Sequence, residues 1–220
     1  MKPYKLLIFD FDGTLCDTDE VVVQGFLKLY EIYESPFKRA REEIYYFSGP
    51  PLKETMAIEF PQYPVEEMVE AYVEASRAFY NEQNVALYEG EVETLKALKE
   101  AGYLLGIVTN KRRESLMLSL ELCQIKDFFE VIISADDVKI PKPAPEGIFK
   151  AMKIMGVNNP AEVLYIGDND IDFKTTVNAG VDAMIVTWGP REIACRNKAK
   201  YQVKSFQEIG ETLLCAHLKQ

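Results

Sequence analysis

Short, unbroken apolar runs alternate along this chain with stretches whose apolar residues recur every three or four positions. Leu6-Leu7-Ile8-Phe9 is the first run, and Leu104–Val108, Val131–Ile133, Val163–Ile166 and Ala183–Val186 follow. Runs this short and this continuously apolar predict strands buried on both faces. Val92, Leu95 and Leu98 then keep helical spacing as far as Gly102. Ile148, Met152 and Met155 do the same as far as Gly156, which suits a left-handed helix cap. Pro145-Glu146 fits the first turn of that second helix. Strands alternating with helices predict βαβ units, a parallel sheet and an α/β fold.

One region breaks the alternation. No strand is expected from about Cys16 to Ala86. Val22, Phe26, Leu29, Tyr30 and Tyr33 share one helical face. Val65, Met68, Val69, Tyr72, Phe79 and Tyr80 share another. Pro36, Gly49-Pro50-Pro51, Pro61 and Pro64 punctuate the segment. It reads as a helical insertion after the first strand, with its dense Tyr and Phe forming a core. No internal repeat or low-complexity tract interrupts the chain.

Composition narrows the class. The 220 residues are 48% hydrophobic and 27% charged, as in ordinary globular proteins. There are 25 Lys+Arg against 35 Asp+Glu, a net charge of -10. That balance lacks the electrostatic footprint of a nucleic-acid binder, and no polybasic segment suits an anionic membrane. Lys111-Arg112-Arg113 is only a local basic run, expected to open the helix after Asn110. Cys16, Cys123, Cys195 and Cys215 form no Cys-x-x-Cys pair, and His217 is the single histidine. This counts against a structural zinc site and a disulfide framework. No apolar run approaches the roughly 18 residues of a spanning helix. The run at Leu6–Phe9 is too short for a signal peptide, so a cytoplasmic enzyme is expected.

Candidate chemistry gathers at strand ends. Asp10-Phe11-Asp12-Gly13-Thr14-Leu15 follows the first strand directly. Residues two apart in extended chain point the same way, so Asp10 and Asp12 can face one site. Gly13 permits a tight turn there. Ligands of open α/β sheets bind beyond the carboxyl ends of the strands. Two carboxylates so close repel unless a proton or cation stands between them, and a hard cation such as Mg²⁺ suits oxygen ligands. Thr109-Asn110 closes the next strand with a hydroxyl and an amide, both able to bond phosphate oxygens. Lys142 sits between Pro141 and Pro143, where it can offset the carboxylates and grip a phosphate. Gly167-Asp168-Asn169-Asp170-Ile171-Asp172 follows the strand at Val163. Asp168, at the strand end, is the better metal ligand. Asp170 and Asp172 suit the first turn of a helix.

These residues, in this order, resemble the four motifs of the haloacid dehalogenase-like phosphohydrolases, and the resemblance spans essentially the whole chain. It implies a Rossmann-like core of residues 1–15 and 87–220 with an α-helical cap of residues 16–86. Gly49-Pro50-Pro51-Leu52 is similar to the cap loop of the phosphoglycolate phosphatase-like branch, most of all its pyrophosphatase members. Ser205–Ile209 is similar to the family's closing segment. The resemblance implies Asp10 as nucleophile and Asp12 as acid and base. Mg²⁺ would be held by Asp10, the Asp12 carbonyl and Asp168. Thr109, Asn110 and Lys142 would bind phosphate, and Asp172 would orient Lys142 or a water on the metal. Gly13 and Thr14 would support the loop. The implied substrate is a small phosphomonoester or pyrophosphate.

Related chemistries separate on single residues. Dehalogenase and phosphonate-cleaving members lack the second aspartate, so Asp12 counts against them. The β-phosphoglucomutase branch carries an arginine three positions after its cap-loop glycine, where this chain has Leu52 after Gly49. That mutase, and a catalytically silent regulatory protein on the same fold, are the alternatives. Lys53 is the favoured cap cation toward an anionic leaving group, ahead of Arg39, Arg41 and Arg77. Cys16 is read as a small apolar filler, with a redox-sensitive thiol as the second reading. Trp188-Gly189 is read as packing at the cleft rim.

Overall fold

The computed structural model describes residues 4–35 and 38–214. His217, Cys215 and Pro36 lie outside them. Six parallel strands form the sheet: β1 (Leu6–Phe9), β4 (Leu104–Val108), β5 (Val131–Ile133), β6 (Val163–Gly167), β7 (Asp182–Val186) and β8 (Tyr201–Val203). Their spatial order is β5-β4-β1-β6-β7-β8, with β1 central between β4 and β6. The order reverses beside β1, which opens a crevice at that strand's carboxyl end.

Each central strand is buried on both faces, as its apolar run requires. Leu7 and Phe9 pack with Leu105, Ile107, Leu164 and Ile166 in one core. Leu6 and Ile8 pack with Val163 and Tyr165 in the other. The first core is covered by α5 (Glu91–Glu100), α6 (Arg113–Cys123) and α9 (Phe206–Leu214), and the second by α7 (Glu146–Met155) and α8 (Asp170–Ala179). Gly156 takes φ +68° after α7, as its capping reading predicts. Val92 departs from the expected face: it is exposed, while Leu95 and Leu98 are buried. The strand β8 was not foreseen, because its three residues include exposed Gln202 and carry no apolar run.

Between β1 and α5 lie α1 (Asp19–Ile32), α2 (Arg41–Ile44), α3 (Leu52–Glu59) and α4 (Val65–Arg77). They enclose a separate core built on Val23, Phe26, Leu29, Tyr30, Met56, Phe60 and Met68. Helix α1 lies against α4, where Gly25 leaves room for the Tyr72 ring; an added Cβ would meet it at 2.8 Å. Phe79 and Tyr80 do not extend this core. Helix α4 ends at Arg77, and both rings turn onto the sheet's core instead.

The segment expected to lack strands has one at each end. β2 (Cys16–Asp17) pairs antiparallel with β3 (Ala86–Leu87). Two residues are too few to show a period, so the pattern of side chains could not reveal them. Among the described residues no helix is long and apolar enough to cross a membrane.

Candidate active site

Parallel strands deliver their following loops to one end of the sheet. Asp10 follows β1, Thr109 and Asn110 follow β4, Lys142 lies in the loop after β5, and Asp168 follows β6. The side chain of Lys142 is buried, with Nζ 2.9 Å from Asp10 Oδ1 and 2.7 Å from Asp172 Oδ1. It also reaches the Tyr165 hydroxyl at 3.0 Å, which in turn donates to the Val108 carbonyl. Asp172 joins two tasks. One oxygen holds Lys142, and the other accepts the Asn169 N–H in a capping box that starts α8. Asp170 takes no part here. It accepts the Cys195 N–H at 2.9 Å and so anchors a later loop.

Burial and charge oppose each other throughout this cluster. Desolvation pushes the Asp10 carboxyl up to about 6, although Lys142 pulls it down. Asp168 likewise stands at about 6 through burial, against the pull of Arg191. Asp172 is raised by burial, again against Lys142. Burial disfavours the Lys142 ammonium, but the negative charges of Asp10 and Asp172 outweigh it and hold the pKa above its usual value.

Asp12 faces a second cation. Its Oδ1 accepts from Lys111 Nζ at 2.6 Å and from the Thr18 hydroxyl at 2.6 Å. Lys111 also lies over the rings of Phe11 and Tyr80. Asn110 lines the same cavity as Asp10 and also makes structural contacts. Its Oδ1 accepts the Lys142 N–H, and its Nδ2 donates to the Lys142 and Gly49 carbonyls. The amide thus braces the lysine loop and the insertion. Thr109 Oγ1 accepts the Lys111 N–H and leaves its own hydrogen free to donate.

The loop after β7 supplies two residues that the sequence did not single out for chemistry. Arg191 is buried, with Nε 2.9 Å from Asp168 Oδ2 and Nη1 2.6 Å from Asp19 Oδ1. Nη1 also donates to the Tyr45 carbonyl of the insertion. Trp188 donates its indole N–H to the Gly13 carbonyl at 3.0 Å and stacks on Phe206. Its packing role therefore includes a hold on the Asp10–Thr14 turn. Gly13 takes φ +79°, and an added Cβ would collide with Asp168 and Arg191. Thr14 supports the site directly, donating to Asp168 Oδ1 at 3.1 Å.

A cavity opens over Asp10 and Asp12. The core side gives it Thr109, Asn110, Lys111 and Arg112; the insertion gives it Phe26, Phe47, Gly49, Leu52 and Tyr72. Beside the Arg191 contacts, two side-chain amides hold the insertion against the core. The Asn110 amide donates to the Gly49 carbonyl at 2.9 Å, and the Asn169 amide to the Ser48 carbonyl at 3.3 Å. Lys53 is outside this cavity. It is exposed and pairs with Glu66 at 3.2 Å, because the first turn of α3 points it along the surface of the insertion. Arg39, Arg41 and Arg77 pair with Glu59, Glu20 and Glu114.

Asp10, Asp168 and Asp172 each place a carboxylate oxygen within 4.8 Å of the others. Asp10 Oδ1 is buried and accepts no hydrogen bond; it faces the Lys142 ammonium as an ion pair at 2.9 Å. A set of hard oxygens with an unfilled buried acceptor fits a small divalent cation. Asp172 holds Lys142 and Asn169, and Asp168 holds Thr14 and Arg191, so Asp10 is the member of the set with an oxygen that accepts no hydrogen bond.

The α/β sheet thus gathers carboxylates, a buried lysine and a cavity beneath the insertion at one end. Residues 7–186 match the family described as Haloacid dehalogenase-like hydrolase, and the chain belongs to that family. It is a phosphatase of that family, whose members use a divalent metal. Among its curated relatives, pyrophosphatase PpaX of Bacillus velezensis is 40% identical over 190 residues, covering 85% of each chain. PpaX of Bacillus cereus strain G9842 is 37% identical over 182 residues, covering 83% of this chain and 82% of the relative. A Bacteroides fragilis protein classed with the haloacid dehalogenase-like hydrolases superposes with a TM-score of 0.84 at 28% identity. That match covers 94% of this chain and 99% of the other. Rhodobacter sphaeroides CbbY, solved with phosphate, superposes with a TM-score of 0.80 at 22% identity over 94% of this chain and 96% of the other, which shows the fold alone.

Proposed function

We propose that this protein is a Mg²⁺-dependent phosphohydrolase that moves a phosphoryl group from a small phosphorylated substrate to water through Asp10, with pyrophosphate as the first substrate to test. The observation that carries the reading is the Lys142 ammonium, buried between Asp10 and Asp172. It sets a cation for phosphate oxygens directly behind Asp10, the candidate nucleophile that lines the cavity. The names of the curated relatives support pyrophosphate. Lys111 and Arg112 on the cavity wall supply positive charge for the leaving side of such a substrate.

In this reading Asp10 attacks phosphorus and forms an aspartyl-phosphate, dividing one displacement into two. Asp12, on the same wall, gives a proton to the leaving oxygen and later takes one from the attacking water. Thr109 and Lys142 hold the transferring oxygens, and Asp172 keeps Lys142 aimed at them. Asp10, the Asp12 carbonyl and Asp168 would hold Mg²⁺. When bound, that ion neutralises charge on the transferring group. The insertion, residues 16–86, serves as the cap and keeps bulk water from the first step. The β2–β3 pair supports placing its hinge at residues 16–17 and 86–87.

The test is a phosphate-release panel with Mg²⁺ and with EDTA: pyrophosphate, phosphoglycolate, sugar phosphates and β-glucose 1-phosphate. Metal-dependent release from one small substrate supports the reading. Isomerisation of β-glucose 1-phosphate without release would favour the mutase.

A further inference from the structure

Behind the catalytic end, two cysteines that the proposed chemistry does not use come together. Cys16 Sγ and Cys123 Sγ lie 3.1 Å apart and share a hydrogen bond, though 107 positions separate them in the chain. Both are free thiols; Cys16 is buried and Cys123 partly exposed. A disulfide needs its sulfurs at about 2.05 Å, so closure asks for a shift on the order of 1 Å.

The two positions lie on separate elements of the fold. Cys16 belongs to β2, paired with β3 where the chain enters and leaves the insertion. Its carbonyl accepts the Gly13 N–H at 2.8 Å, and its N–H donates to the Phe11 carbonyl at 3.0 Å. Cys123 is the last residue of α6, the helix that follows the Thr109–Arg112 loop. A covalent bond here ties the Asp10–Thr14 turn and the hinge to the far end of the helix that follows Lys111.

We propose that Cys16 and Cys123 are a redox modification site, forming a reversible disulfide that slows turnover by fixing the hinge against α6. Partly exposed Cys123 reacts first, since the Cys16 thiol hydrogen-bonds to its sulfur and lowers its pKa, against burial. Its thiolate attacks one oxygen of hydrogen peroxide; the O–O bond breaks, giving a Cys123 sulfenic acid and hydroxide. Buried Cys16, whose pKa burial pushes well up, then displaces the sulfenic oxygen, forming the S–S bond and releasing water. Two electrons pass from the sulfurs to the peroxide, and a dithiol reductant returns them. Cys195 lacks these features: burial and its hydrogen bond to Asp170 push it up to about 12.

The experiment treats the reduced full chain with hydrogen peroxide and maps disulfides by non-reducing peptide mass spectrometry, before and after dithiothreitol. Phosphate release is measured in parallel for wild type and Cys123→Ser. The expected result is a Cys16–Cys123 cross-linked peptide, at least a fivefold loss of turnover, and recovery with dithiothreitol. Cys123→Ser should keep its turnover through the same treatment. Peroxide-treated wild type with both thiols intact, or with the bond formed and turnover unchanged, would overturn the proposal. The effect on turnover rests on the phosphohydrolase reading, but the bond does not. A reduced protein inactive on every substrate would sink that reading while the mass spectrum still reports the disulfide.

Discussion

Lys111 Nζ stands 2.6 Å from Asp12 Oδ1, with both side chains nearly buried beneath the insertion. Burial disfavours the Lys111 ammonium, but the charges and hydrogen bonds of Asp12 and Tyr80 outweigh it and hold its pKa above the usual value. The second aspartate of the Asp10–Thr14 turn is thus matched to a cation from the loop after β4. A charge-assisted hydrogen bond of this kind contributes about 1.5–3 kcal/mol, or roughly 10- to 150-fold. Lys111→Met should lower kcat/KM for pyrophosphate by that range, and for p-nitrophenyl phosphate by less. Equal losses on both substrates would place Lys111 on Asp12 alone, without a role toward the leaving group.

Asp172 should matter through Lys142 rather than by touching substrate. Asp172→Asn keeps an oxygen for the Asn169 N–H but removes the charge that holds the ammonium. A loss of roughly 10- to 100-fold in kcat is expected, as when a residue that orients a reacting group is neutralised. Lys142→Ala leaves Asp10 and Asp172 uncompensated and should also cost about 3–5 kcal/mol of stability. Chemical denaturation of both variants separates the two effects.

Gly13→Ala places a side chain where the backbone has φ +79° and where Asp168 and Arg191 already fill the space. Left-handed backbone alone costs about 1–2 kcal/mol for a non-glycine residue. In a chain of this size that corresponds to a Tm lower by roughly 2–8 °C, and the collision adds to it. Thermal unfolding checks it, and a variant with wild-type Tm and turnover would show that the turn relaxes freely.

Glu91 makes stability depend on pH. It is buried near the hinge, with one carboxyl oxygen unpartnered, and burial pushes it up to about 9. Between the unfolded value near 4.5 and that folded value, the native state holds a proton that the unfolded state has lost. The contribution of Glu91 to stability is therefore full below pH 4.5 and declines as pH rises toward 9, with a slope approaching about 1.4 kcal/mol per unit. Glu91→Gln should flatten that slope and raise Tm at pH 8. Denaturation across pH 5 to 9 measures it, and parallel curves for wild type and variant would refute the assignment.

The sequence spoke clearly where one residue type in one place can mean little else. Asp10 and Asp168 each stand where an apolar run ends, and Asp12 lies two residues beyond Asp10, so the strands themselves pointed to the candidate site. Lys111 was hidden because it belongs to a run with Arg112 and Arg113, and its neighbours in sequence gave it the look of a solvated helix start. Arg191 and Trp188 were hidden for another reason. They follow the last of the predicted strands, and their partners Asp168, Asp19 and Gly13 lie more than twenty positions away. Lys53 illustrates the converse: proximity to the Gly-Pro-Pro loop did not fix which way the first turn of α3 would point it.

The central claim is that Asp10 carries the phosphoryl group. During steady turnover with Mg²⁺ and excess pyrophosphate, the protein is quenched with borohydride, which reduces an acyl phosphate to homoserine, and the peptide containing residue 10 is analysed by mass spectrometry. The account predicts homoserine at position 10 and no phosphate release by Asp10→Asn. An unmodified Asp10 peptide from actively turning-over protein, together with wild-type release by Asp10→Asn, would contradict it.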